Sequence, residues 1–122
     1  MIPFITDRIR SFKPAFQGIL FILRYEKNTW IHLFVTLVVT AFSILLKINS
    51  IEWLFIITAV FIVWFAEILN TAIEKTVDLI TLEKNPQAKI IKDLSASFVL
   101  LSALYAVISG LVIFIPKIIN LI

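Results

Sequence analysis

The sequence predicts an all-α membrane protein: an amphipathic amino-terminal surface helix followed by three transmembrane helices. Three observations carry the prediction. The chain has 122 residues, 61% hydrophobic and 16% charged, with mean hydropathy +1.04. A soluble domain is closer to half apolar and a quarter charged, and one domain of this size cannot bury such an excess internally. The excess is gathered into three long runs, residues 30–46, 53–66 and 94–115, free of Asp, Glu, Lys and Arg. Ahead of them, apolar residues recur at helical spacing within a charged segment.

Residues 1–24 form that segment. Ile5, Ile9, Phe12 and Phe16 step by three or four positions, opposite Asp7, Arg10 and Gln17, as in a helix lying on a membrane surface. Charges through Arg10 and Lys13 and the lack of a small-residue cleavage site argue against a signal peptide. Pro14 is expected to kink or interrupt the helix. Residues 30–46 are the first span, near the short limit of about 17–25 residues. "KINSIEW" is a polar turn with Trp53 as an interfacial anchor. Residues 53–80 read as one helix, apolar first and polar-striped later. "TLEKNPQAK" is expected to be a loop, with Asn85-Pro86 as its turn signal. Residues 94–115 are the third span, closed by Pro116 and Lys117. The chain reads as a single domain.

The distribution of basic residues sets the expected orientation. Nine of the eleven Lys and Arg precede the first span or lie between the second and third, leaving Lys47 and Lys117 on the other side. The positive-inside rule then places the amino terminus and the 81–89 loop on the cytoplasmic side of the membrane. Scattered among apolar runs, the net charge of +3 suits phospholipid rather than nucleic acid. Absence of cysteine excludes disulfides, thiol catalysis and zinc–thiolate sites. Two glycines, Gly18 and Gly110, cannot build a P-loop or a dinucleotide fingerprint. A phosphate-handling site here must use metal, carboxylate and lysine.

"FAEILNTAIEKTVDL", residues 65–79, supplies the chemistry. At about 100° per residue, Glu74 and Asp78 fall within about 20° of Glu67, and Asn70 about 60° away. A hydrocarbon core of about 30 Å begun at Trp53 ends near residue 73, so Glu67 lies within it and Glu74 at its edge. A wet helix beyond the membrane explains Asp78 well and Glu67 poorly. A carboxylate at membrane depth costs about 2.5–3.5 kcal/mol on the insertion scale and usually marks function. Glu67 is thus a candidate general base. Glu74, with Glu26 from another cytoplasmic end, suits Mg²⁺, which takes one or two carboxylates plus water and phosphate. Lys92 and Asp93 open the third span from the same side, and a lysine there can meet phosphate. His32 reads as a packed or interfacial residue rather than a metal ligand, and Ser95, Ser97 and Ser102 as small residues for close helix packing. A cation channel lined by Glu67 and Glu74 is the competing reading, but residues 53–66 offer such a pore only Thr58.

These residues also carry a resemblance. "AEILNTAIEKTVD", followed by "KDLSASFVLLSA", resembles the signature of the prokaryotic diacylglycerol kinase family, which includes undecaprenol kinases; "YEKNTWIHL" is similar to a segment of the undecaprenol-kinase-like branch. The likeness spans nearly the whole chain. It implies a homotrimeric bundle in a bacterial inner membrane with active sites shared between subunits at the cytoplasmic surface, and transfer of the γ-phosphoryl of MgATP to a membrane lipid alcohol. Undecaprenol is favoured over diacylglycerol. Carried onto matching positions, Glu67 is the catalytic base and a substrate contact, and Glu26 and Glu74 hold Mg²⁺. Both carboxylates, with Asn70, Asp78, Glu83, Asn85, Lys92 and Asp93, form the implied ATP site. Arg10 is the second candidate substrate contact. The sequence departs from the family at Pro14, where tyrosine is frequent, and at Asn85, where histidine is common.

Overall fold

The computed structural model describes residues 1–122 as four helices: α1 (Ile2–Tyr25), α2 (Lys27–Leu45), α3 (Ser50–Ile80) and α4 (Pro86–Leu121). The last three are long and apolar enough to cross a membrane. α1 starts with Pro3 in its first turn, where a missing N–H costs nothing. It runs uninterrupted through Pro14. A proline forfeits the bond to the carbonyl four residues back, here Arg10, and on an exposed helix that carbonyl can be solvated. Ile5, Ile9, Phe12 and Phe16 are exposed, so the apolar stripe of α1 has no partner within the chain. Only Ile22, near the carboxyl end, is buried.

Glu26, in extended conformation, is the single residue between α1 and α2. α2 ends with Lys47 in the left-handed region at φ 51, where the Ile48 N–H returns to the Ser43 carbonyl at 3.3 Å. Such a reversal satisfies the last carbonyls and brings a following apolar residue back onto the helix, here buried Ile48. α3 opens on a capping box: Asn49 Oδ1 accepts from the Glu52 N–H at 2.9 Å, and Glu52 Oε1 accepts from the Asn49 N–H at 3.0 Å. Near this turn Ile48, Ile56 and Ile113 form the apolar core, flanked by Val39, Leu46, Trp53 and Phe114.

α4 corrects two boundaries expected from sequence. Asn85 caps it, its Oδ1 accepting from the N–H groups of Gln87 at 2.8 Å and Ala88 at 3.4 Å, with Pro86 at the first position. The loop is therefore only residues 81–85, because Asn-Pro starts a helix as readily as it makes a turn. At the far end α4 continues through Pro116 to Leu121 instead of closing there.

α3 and α4 form an antiparallel hairpin and the most extensive packed pair. Opposed residues fix the register: Lys117 with Glu52, Ile113 with Ile56, Ser95 with Asn70, and Lys92 with Asp78. Buried positions along both helices are mostly small (Ala59, Ala66, Thr71, Ser95, Ser102), the residue class that lets membrane helices approach closely. Just 13 of 122 residues are buried, so the large apolar side chains face outward as lipid-exposed helices require.

Candidate active site

Glu67 lies on the α3 face that turns inward, and it is 3% exposed. Its Oε2 is 3.3 Å from Nε2 of His32 on α2. One turn further along α2, the Thr36 hydroxyl donates to the His32 carbonyl at 2.7 Å and accepts from the Trp64 indole N–H at 3.2 Å. These two rungs, His32 to Glu67 and Thr36 to Trp64, show that α2 and α3 run antiparallel.

Moving along α3 from Glu67 gives the order of exposure that the stripe implied: Asn70 and Glu74 half-buried, Asp78 exposed. Asn70 is held between two helices. Its Oδ1 accepts from the Ser95 hydroxyl at 2.7 Å, and its Nδ2 donates to Glu74 Oε1 at 3.5 Å. Only this orientation of the amide satisfies both neighbours: the Ser95 hydroxyl can donate or accept, but the Glu74 carboxylate only accepts and must face the nitrogen. Asp78 Oδ1 takes a 2.6 Å ion pair from Lys92 Nζ, and Asp93 a 2.6 Å pair from Lys89. Both pairs are largely exposed, a class worth about 0–1 kcal/mol, so they orient side chains more than they stabilise the fold.

Glu26 is half-buried at the α1–α2 junction. It precedes His32 by six residues, while Glu74 follows Glu67 by seven. In antiparallel helices rising about 1.5 Å per residue, both carboxylates sit about 10 Å beyond the His32–Glu67 contact, at one level. Lys75 Nζ lies 5.1 Å from the Phe21 ring centroid, which brings the end of α1 to this flank of α3. No group of three His, Cys, Asp or Glu residues forms a ready-made metal cage within one chain. Glu26 and Glu74 are oxygen donors of the kind a hard cation takes in ones and twos together with water and phosphate.

The 81–85 loop and the start of α4 enclose a cleft of about 700 Å³ lined by Glu83, Lys84, Asn85, Lys89, Lys92 and Asp93 among others. Four expected ATP-site residues (Glu83, Asn85, Lys92, Asp93) therefore share one cavity wall. Arg10 is exposed on α1, in the half of that helix whose apolar stripe has no partner.

Two residues of the site were read as packing groups in the sequence. His32 proved to be the hydrogen-bonding partner of Glu67, and Ser95 of Asn70. The signal for each was adjacency to a motif: His32 ends "EKNTWIH", and Ser95 follows Lys92-Asp93 by two positions.

A family model described as prokaryotic diacylglycerol kinase matches residues 13–114. The chain belongs to this family. It is 40% identical over 108 residues to an undecaprenol kinase of Bacillus subtilis, covering 88% of each chain. It is also 34% identical over 112 residues to a diacylglycerol kinase of Synechocystis, covering 91% of this chain and 64% of that one. With three apolar helices of spanning length, this member of the family is a multi-pass membrane lipid kinase. Every candidate site residue except Arg10 lies inside the matched segment.

Proposed function

We propose that this lipid kinase transfers the γ-phosphoryl group of MgATP to the hydroxyl of undecaprenol, at the cytoplasmic face of a bacterial inner membrane. The observation that carries the reading is the buried Glu67 carboxylate, held by His32 and aligned along one helix face with Asn70 and Glu74.

Phosphoryl transfer asks a protein for position, charge neutralisation and a base for the attacking hydroxyl. The lipid hydroxyl oxygen forms a bond to the γ-phosphorus, the bond from that phosphorus to the β–γ bridging oxygen breaks, and ADP leaves. The hydroxyl proton passes to Glu67, which at membrane depth can reach an alcohol whose tail stays in lipid. Glu26 and Glu74 would hold Mg²⁺, which when bound neutralises charge on the β- and γ-phosphates. Asn70 orients Glu74 toward it. The cleft at the 81–85 loop, with Lys84, Lys89 and Lys92 on its wall, suits a polyanion, while Glu83, Asn85 and Asp93 offer groups for the rest of the nucleotide. Lys92 reaches phosphate while anchored by Asp78. Arg10, on the polar side of α1, is assigned to the lipid substrate at the interface.

Undecaprenol is preferred over diacylglycerol because the relative at 40% identity carries that name and "EKNTWIH" resembles a segment of that branch. The bias of nine basic residues to two supports the cytoplasmic placement. A homotrimer with shared sites is supported by the sparse packing of α2 against the rest of its own chain, which leaves most of that helix to meet neighbours.

The test is transfer of label from γ-labelled ATP to undecaprenol, diacylglycerol and ceramide side by side. Phospho-undecaprenol is the expected main product. Glu67→Gln is expected to abolish turnover while ATP still binds, and Glu26→Gln or Glu74→Gln to raise the magnesium requirement. Full turnover by Glu67→Gln removes the proposed base.

A further inference from the structure

We propose that His32 is a positioning residue for the general base: its Nε2–H holds one oxygen of Glu67 and leaves the other to receive the substrate proton. The inference rests on Glu67 acting as that base. It starts from an imbalance in the structure. Glu67 has a side chain only 4% exposed, and His32 supplies its one side-chain hydrogen bond. A carboxylate buried in apolar surroundings is costly unless a donor meets it. Neutral imidazole with its proton on Nε2 can meet it, and so can imidazolium.

The contact does more than relieve that cost. A carboxylate free to rotate about its last torsion presents either oxygen in any direction. With Oε2 tied to α2, Oε1 has a defined place, which a base needs when its substrate approaches from lipid. One turn along α2, the Thr36 hydroxyl receives the Trp64 N–H at 3.2 Å, a second tie between the same two helices. At 19% side-chain exposure, against 4% for Glu67, His32 also stands on the more open side of the pair.

The competing explanation is that His32 merely ties α2 to α3. The second rung, Thr36 to Trp64, separates the two, because it joins the same helices without touching the base.

His32→Leu fills similar space without a donor, and His32→Gln returns an N–H at comparable reach. The expected result for His32→Leu is a kcat lower by about 10- to 100-fold, part of what a general base contributes, with KM for MgATP unchanged. His32→Gln is expected to recover most of that loss. Thr36→Val should keep kcat within about threefold, the size of an average polar contact between membrane helices. In a Glu67→Gln background, His32→Leu should cause no further loss. Because His32 is the chain's sole histidine, its imidazole nitrogens give an unambiguous ¹⁵N signal, expected to shift in Glu67→Ala. Wild-type kcat in His32→Leu, with Glu67→Gln dead, overturns this inference and leaves the kinase reading intact. An active Glu67→Gln overturns both. Equal losses in His32→Leu and Thr36→Val, tracking their melting temperatures, reduce His32 to a tie.

Discussion

Ser95→Ala is the sharpest test of how the α3–α4 hairpin builds the site. The Ser95 hydroxyl, on a residue 1% exposed, donates to Asn70 Oδ1 at 2.7 Å. Alanine keeps the backbone and the small volume that the helix seam needs, and deletes only the donor. The Asn70 amide then loses its 2.7 Å partner on α4, the contact that holds it in place between the two helices. Its 3.5 Å bond to Glu74 is too long to hold it alone. Swung away from this place, the amide no longer presents its nitrogen to Glu74 Oε1.

The size follows from what such a bond is worth. Polar contacts between membrane helices average about 0.6 kcal/mol and reach about 1.7. Converted at room temperature, that range is roughly 3- to 20-fold in the population of the productive orientation. In the proposed arrangement Asn70 acts through Glu74, so the loss is expected in the magnesium concentration giving half-maximal rate, and in turnover at limiting magnesium. The assay is a magnesium titration of phospho-lipid formation in mixed micelles, with Asn70→Ala and Asn70→Ala/Ser95→Ala alongside. The double variant should be no worse than Asn70→Ala. A Ser95→Ala enzyme with wild-type magnesium dependence, or additive losses in the double variant, refutes the relay.

Two further outcomes follow from contacts outside the base. Asn85→Ala removes the α4 cap and should lower stability by about 1 kcal/mol, whereas Asn85→Asp keeps a capping oxygen and should melt like the wild type; thermal unfolding in detergent compares them. Lys117→Met breaks the 3.1 Å pair with Glu52 at the end of the bundle remote from Glu67, so melting temperature should fall while kcat stays unchanged.

What could be read from sequence was what a single helix determines. The inward stripe from Glu67 to Asp78 follows from 3.6-residue periodicity alone, and its burial falls off in the expected order. The three spans follow from the absence of charge. Boundaries at proline were harder. Asn85-Pro86 has one chemistry for two uses, turn or helix start, and Pro14 and Pro116 sit where helices continue through them. Contacts between helices were not legible. Whether His32 meets Glu67 depends on the one-residue junction at Glu26 and the reversal at Lys47, which together set the register of α2 on α3. No periodicity within α2 contains that information. The same holds for Ser95, which reads as a small packing residue until the hairpin brings it against Asn70.

The division between stability and catalysis in this chain then has a physical cause. In lipid, burying an apolar face against another helix brings little hydrophobic gain, because the tails are equally apolar. α2 therefore cannot be held to α3 as a soluble helix would be, and its own apolar face stays outward. What fixes its register includes polar rungs, and one of the two, His32 to Glu67, ends on the proposed base. α3 and α4 do the same through Ser95 and Asn70. At these positions the residues that set helix register are the residues that aim the site, so a variant there should change both together. The Glu52–Lys117 pair, at the other end of the same hairpin, should change stability alone. Finding turnover at limiting magnesium as sensitive to Lys117→Met as to Ser95→Ala would mean that the hairpin transmits strain along its whole length, and that no such division exists.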